Sequence, residues 1–341
     1  MSEFSLKRRD FLYGLAGLTG SVVASQLPAS PAFARVRING AGASFPAPLY
    51  QRWFVEYNKV DRKTQVNYQS VGSGSGVKQF VAGTVDFGAS DVAMKDEQIA
   101  KVSKGTVLLP VTAGAIVVAY NNSDVPNLKL SRSQLVDVFM GKITDWKDLG
   151  ASKSKKIKVV HRSDGSGTTA VFTKHLATIS NTWKSAVGSA KTVQWKTGIG
   201  AKGNEGITAT VKQTDGAIGY VEFGYATKNG LKFASLQNKS GSYVLPSLSS
   251  ATTTLSQVKL PSNLRAFITD PVGSGSYPIV TYTWILAYKK YDDPKMAAAL
   301  KKVLKWCVSK SGGQQYSADL GYIPLPDNVI TRVNSAIDTI S

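Results

Sequence analysis

Three glycine–serine corners, each set between a strand-like run and a helix-like run, hold the residues best able to do chemistry in this chain of 341 residues. The first is Gly40-Ala41-Gly42-Ala43-Ser44-Phe45-Pro46-Ala47-Pro48. Its prolines suit a helix start, because a proline lacks the N–H that would be unpaired in a first turn anyway. Leu49, Tyr50, Trp53, Phe54 and Tyr57 follow at helical spacing. The second corner is Val71-Gly72-Ser73-Gly74-Ser75-Gly76-Val77, and the third is His161-Arg162-Ser163-Asp164-Gly165-Ser166-Gly167-Thr168. Helix N-termini carry unpaired N–H groups and a partial positive charge, so they bind anions. Hydroxyls add donors at the same corners, and Arg162 adds a fork of N–H groups matched to a tetrahedral oxyanion. One such corner is most often just a helix cap; three together with an arginine point to an oxyanion site.

Asp91, in Thr84-Val85-Asp86-Phe87-Gly88-Ala89-Ser90-Asp91, is out of place beside an anion unless the anion carries a proton. Phosphate near neutral pH keeps a P–OH that can donate to a carboxylate, whereas sulfate has none. A buried acceptor of this kind discriminates by roughly 10⁴–10⁵. Asp91 reads equally well as the cap of a helix over 92–99. Sulfate, molybdate and tungstate binders share the general design, and Asp91 is what favours phosphate over them.

These corners need elements to hold them. Strand-like runs at 36–39, 65–69, 86–89, 115–120, 157–161, 217–221 and 283–288 alternate with helix-like runs at 48–57, 77–82, 131–140, 168–176, 206–213, 294–309 and 329–340. That alternation predicts α/β architecture with largely parallel sheets. The length allows two cores, since single cores stop growing near ~250–300 residues. Residues 235–263, rich in Ser and Thr, read as an irregular excursion, and Val272-Gly273-Ser274-Gly275-Ser276 reads as a loop.

Residues 1–34 read as an export signal. Lys7-Arg8-Arg9-Asp10-Phe11-Leu12 runs into a short glycine-broken apolar stretch, and Ala32-Phe33-Ala34 is a small-x-small cleavage site. The paired arginines resemble a twin-arginine signal. The stretch is shorter than the ~20 residues of a spanning helix. The chain beyond Ala34 is therefore expected in the periplasm.

Composition excludes several function classes. The formal charge is +19, and residues 36 onward with Arg35 keep +18, because Lys7, Arg8 and Arg9 oppose only Glu3 and Asp10. The basic residues are scattered, with no arginine-rich helix or RNA-binding aromatic motif, so no nucleic-acid partner is expected. Cys307 is the single cysteine and reads as a buried thiol. No G-x-S-x-G or H-E-x-x-H motif occurs, and His161 and His175 are the only histidines. No enzyme, no cofactor and no metal are expected. Gly198-Ile199-Gly200-Ala201-Lys202-Gly203 fits G-x-G-x-x-G with Glu222 near the expected distance, but Trp195-Lys196-Thr197 does not form the buried strand a dinucleotide site needs.

The first corner, the segment ending in Asp91, the third corner and Gly216-Ala217-Ile218-Gly219-Tyr220-Val221-Glu222 resemble the substrate-binding protein of the bacterial phosphate-specific (Pst) ABC transporter. The resemblance covers nearly all of the chain after residue 34. It implies a type II periplasmic binding protein fold, with two α/β lobes and a hinged ligand cleft. The lobes would be 35–112 with 277–341, and 113–276. Carried over by motif, Ser44, Phe45, Ser73, Arg162, Ser166, Gly167 and Thr168 would donate to phosphate, Asp91 would accept its proton, and Asp164 would fix the Arg162 fork. The alternating glycines of the second corner depart from the family's adjacent serines and leave Ser75 without a clear role. The resemblance further implies a monomer that delivers phosphate to membrane permease and ATPase subunits.

Overall fold

The computed structural model describes residues 35–341. The export signal, its twin arginines and the Ala34 cleavage site lie outside the described residues. Chain order begins with β1 (Val36–Gly42), α1 (Ala47–Val60), β2 (Thr64–Ser70), α2 (Ser73–Ala82), β3 (Phe87–Ser90) and α3 (Asp96–Ile99). Next come β4 (Thr106–Tyr120), β5 (Lys129–Leu130), α4 (Arg132–Phe139), β6 (Lys158–Arg162), α5 (Gly167–Ile179) and α6 (Asn181–Ala186). Then follow β7 (Ile199–Ala201), α7 (Gly203–Gln213), β8 (Ala217–Glu222), α8 (Phe223–Lys228), β9 (Lys232–Phe233), β10 (Ser235–Gln237) and β11 (Tyr243–Val244). The chain closes with α9 (Leu248–Ser256), β12 (Val280–Tyr288), α10 (Pro294–Val308) and α11 (Asp327–Asp338).

The main sheet runs β2-β1-β3-β12-β4-β8-β6-β7, with β9 also on β4. The α/β expectation holds, but the sheet is mixed rather than largely parallel. β1 lies parallel to β2 and β3, and β6 lies parallel to β7 and β8. These pairs come from strand–helix–strand crossovers, which bring the chain back in the same direction. β12 and β4, antiparallel to each other, join the two groups, β12 lying antiparallel to β3 and β4 antiparallel to β8. The first part of β4 pairs antiparallel with β12 and its last five residues with β8. All but the first residue of β4 is buried, so its near-continuous apolar run reflects a strand covered on both faces.

Aromatic side chains anchor the helices to this sheet. Trp53, Trp146, Trp183 and Trp284 are almost wholly buried. Each indole N–H donates to a backbone carbonyl, of Gly313, Gly216, Gly188 and Leu264 respectively. A buried Trp needs such a partner to avoid an unmet donor. Cys307 is buried with a free thiol, as expected.

Residues 235–263 are more ordered than their composition suggests. They contribute β10 and β11 to a small sheet with β5, and they form α9. Ser247 caps α9 through the Ser250 N–H, and Thr254 Oγ1 donates to the Tyr277 carbonyl at 2.7 Å. Tertiary contacts override the weak helix propensity of a Ser/Thr run here. Residues 272–276 stay irregular, as expected. Among the described residues, no helix is long and apolar enough to cross a membrane.

Candidate functional site

The second corner is helix from its first serine onward. Gly72, at φ +87°, turns the chain, and α2 starts at Ser73 rather than four residues later. Gly76 then lies flat on β1: a Cβ there would stand 2.4 Å from the Gly42 Cα. That close approach is why the corner alternates glycine with serine, and it places Ser75 within α2's first turn.

Ser73 is fully buried, and its hydroxyl accepts from the Asp91 N–H at 3.2 Å and reaches Asp91 Oδ2 at 3.4 Å. Asp91 follows β3 and is only 2% exposed. It does not cap a helix over 92–99, because α3 starts at Asp96 with Lys95 as its cap. Its side chain points inward instead, where Thr283 Oγ1 on β12 donates to Oδ1 at 2.9 Å. Thr281 holds its backbone carbonyl at 3.2 Å. Burial pushes the Asp91 carboxyl up to about 6, against the lowering pull of Thr283, Arg162, Lys191 and Ser73.

The third corner meets this pair directly. A Cβ on Gly167 would stand 2.4 Å from Ser73 Oγ and 2.7 Å from Asp91 Oδ2, so only glycine fits there. The Gly74 N–H donates to the Gly165 carbonyl at 2.6 Å, tying the first turn of α2 to the approach of α5. Ser166 caps α5 by accepting from the Thr169 N–H at 2.9 Å, which leaves its hydroxyl hydrogen to donate elsewhere. Arg162 ends β6 with its side chain 1% exposed. Asp164 takes its Nε at 2.6 Å and also its Nη2. Burial alone would disfavour the Arg162 charge, but the Asp164 contact outweighs it and holds the guanidinium firmly protonated. Burial acts on Asp164 as well, and there Arg162 outweighs it and keeps the carboxyl below its ordinary range. The fork therefore faces Asp164, and Nη1, 3.4 Å from Thr168 Oγ1, is the part turned to the site.

Ser44 and Phe45 complete the cluster from the β1–α1 turn. Ser44 Oγ accepts from the Asn204 N–H at 3.0 Å and Nδ2 at 2.8 Å. Tyr225 and Tyr322 hydroxyls donate to the Ser44 and Phe45 carbonyls at 2.8 and 2.6 Å. A single chain of contacts thus joins Ser44 through Asn204 to Thr168 and Arg162, and a second joins Ser73, Asp91 and Gly167. The structure brings all eight predicted site residues and Asp164 into one buried neighbourhood.

Sequence reasoning missed Asn204 and Thr283. Asn204 is fully buried at the start of α7, and its Oδ1 also accepts from the Glu222 N–H at 2.9 Å. A signal for it existed. Gly198–Gly203 does feed β7 into α7, the same strand–corner–helix pattern as the other three, although the strand lies one step later than Trp195–Thr197. Glu222 caps α8 through the Gly224 and Tyr225 N–H groups and leaves no carboxylate for a ribose. Thr283 gave no local signal, because its partner lies 192 residues away. His161 stacks on Trp195 at 4.9 Å, and burial lowers its pKa.

A family profile described as "PBP superfamily domain" matches residues 28–311. The chain is 42% identical over 310 residues to the phosphate-binding protein PstS of Haemophilus influenzae, covering 87% of this chain and 91% of that protein. It is 36% identical over 335 residues to the phosphate-binding protein PstS of Methanocaldococcus jannaschii, covering 89% and 86%. Among solved structures, a phosphate binding protein from Stenotrophomonas maltophilia superposes with a TM-score of 0.72 at 21% identity, over 88% of this chain and 93% of that one. That likeness bears on the fold.

Proposed function

The chain belongs to the PstS phosphate-binding proteins of the PBP superfamily, and from that premise we propose that it captures inorganic phosphate outside the cytoplasmic membrane and delivers it to an ABC transporter. In this reading the anion lies where the N-termini of α2 and α5 face each other. The hydroxyls of Ser44, Ser73, Ser166 and Thr168, the N–H groups of Phe45 and Gly167, and Arg162 Nη1 donate to its oxygens. Asp91 accepts the hydrogen of a P–OH. Asp164 positions the guanidinium and offsets its charge, so dipoles carry much of the attraction.

The observation that carries the proposal is the placement of Asp91. A carboxylate buried against two anion-favouring helix ends is tolerable if its partner donates a hydrogen. Thr283 and Ser73 hold it for that purpose, and burial brings its titration close to the second ionisation of phosphate. An anion without a hydrogen would leave a buried charge facing another charge, which costs several kcal/mol, of the order of ~3–5.

The lobe assignment belongs to this proposal. Residues 35–112 with 277–341 carry Ser44, Phe45, Ser73 and Asp91, while 113–276 carry Arg162 and the α5 corner. β4 passes from one set of strand partners to the other, and the ligand would bridge both sides and favour closure, the state read by permease and ATPase subunits. Export through the residue 1–34 signal, periplasmic residence, a monomeric state and the lack of catalysis complete the reading. Calorimetric titration of the anion-stripped chain with phosphate, arsenate and sulfate tests it. Tight binding of phosphate and arsenate, with no heat from sulfate, is expected; equal affinity for sulfate, or no heat from phosphate, refutes it.

A further inference from the structure

A cavity of about 710 Å³ is lined by Asp91 and by residues of α5, and it continues outward to Lys95, Lys191 and the 266–269 segment. Its walls are mainly apolar, including Val92, Ala170 and Phe267, yet three lysines from three elements border it: Lys95 at the cap of α3, Lys174 on α5 and Lys191 in the segment after α6. Lys191 is half-buried, and among the described residues its ammonium makes no hydrogen bond or ion pair. Its backbone carbonyl accepts from the Ser166 N–H at 2.8 Å, which fixes this segment to the α5 corner.

Among the lining residues three lysines face one carboxylate, Asp91, so the cavity carries an excess of positive charge. Arg162 spends its fork on Asp164, and Lys191 acts on Asp91 from the cavity side. Burial, against the raising pull of Asp91 and with the help of the Lys95 ammonium, brings the Lys191 pKa down to about 8, so the two ammonium groups repel each other. Such an arrangement is relieved by an anion. Distant surface charge cannot replace it, because salt screens charges beyond a Debye length of ~8 Å at physiological ionic strength.

We propose that this cavity is a second, weaker oxyanion subsite, an antechamber in which Lys191 and Lys95 hold an incoming tetrahedral anion beside Asp91 before it passes to the helix N-termini. The inference rests on the functional reading above. A lysine ammonium only donates and cannot accept the hydrogen of a P–OH, so the antechamber takes sulfate as readily as phosphate, and selection comes afterwards at Asp91. Charged clefts of this kind raise association rates by ~10–10³.

Stopped-flow capture of phosphate by the anion-stripped chain tests it. The double variant Lys95→Gln/Lys191→Gln should associate about five- to tenfold more slowly, with a flatter dependence on ionic strength. The charge-matched control Lys228→Gln/Lys239→Gln, at exposed positions, should stay within about twofold of the parent. Replacing chloride by sulfate at constant ionic strength should slow the parent and leave the Lys95/Lys191 variant unaffected. The antechamber is overturned if that variant matches the control, or if sulfate slows parent and variant alike. A parent chain that takes up no phosphate at equilibrium fails the functional reading itself, and the calorimetric titration shows that separately.

Discussion

Asp91→Asn should make the empty protein more stable while making it a worse receptor. Asp91 is 2% exposed, and burial lifts its pKa from 3.8 to about 6. A shift of about two units corresponds to roughly 3 kcal/mol at ~1.4 kcal/mol per unit. The sign follows from proton uptake. With the folded pKa above the unfolded one, the native state binds more protons between pH 4 and 6, so stability falls as pH rises through that window and the full penalty stands at pH 7. Asparagine removes the charge and keeps the shape. Its Nδ2 can donate to Ser73 Oγ, while Oδ1 still accepts from Thr283. His175 opposes this trend in the parent: it is buried, its ring nitrogens lack partners, and burial depresses its pKa to about 4, so its contribution is lost as pH falls from about 6.5 toward 4. The two effects mask each other in a single curve. The quantity to measure is therefore the difference in unfolding free energy between Asp91→Asn and the parent, by urea titration of anion-stripped protein from pH 4 to 8. It should grow from near zero to about 1–3 kcal/mol in favour of the variant. Phosphate-dependent stabilisation should shrink in the variant, and rejection of sulfate should relax. Parallel pH curves for the two proteins would mean that Asp91 is not a strained buried carboxylate, and the account of selectivity would fall with it.

Arg162→Ala should lose phosphate affinity by at least about a hundredfold and also destabilise the fold, since it strands Asp164 without its partner. Adding Asp164→Ala should restore stability in denaturant without restoring binding in calorimetry. Asn204→Ala should weaken phosphate by about tenfold, because Ser44 Oγ loses the Asn204 Nδ2 donor and keeps only the backbone N–H of residue 204, which holds it less firmly; unchanged calorimetric affinity would reduce Asn204 to a packing residue.

The three corners were legible because a helix N-terminus is a local event. Glycine for the turn, a hydroxyl for the cap and the first-turn N–H groups all lie within a few residues, so the sequence by itself determined where Ser44, Ser73 and Ser166–Thr168 would present donors. The Arg162–Asp164 pair is equally local, two residues apart on one strand end. Only the tertiary structure decided which way the corners face and what stands behind them. Thr283 under Asp91 and Asn204 on Ser44 are contacts across 192 and 160 residues, and no short-range pattern encodes a partner at that distance. The antiparallel course of β4 and β12 escaped the sequence for the same reason. A buried strand reads as the same apolar run in either direction, and its orientation is settled by which neighbours complete its hydrogen bonds.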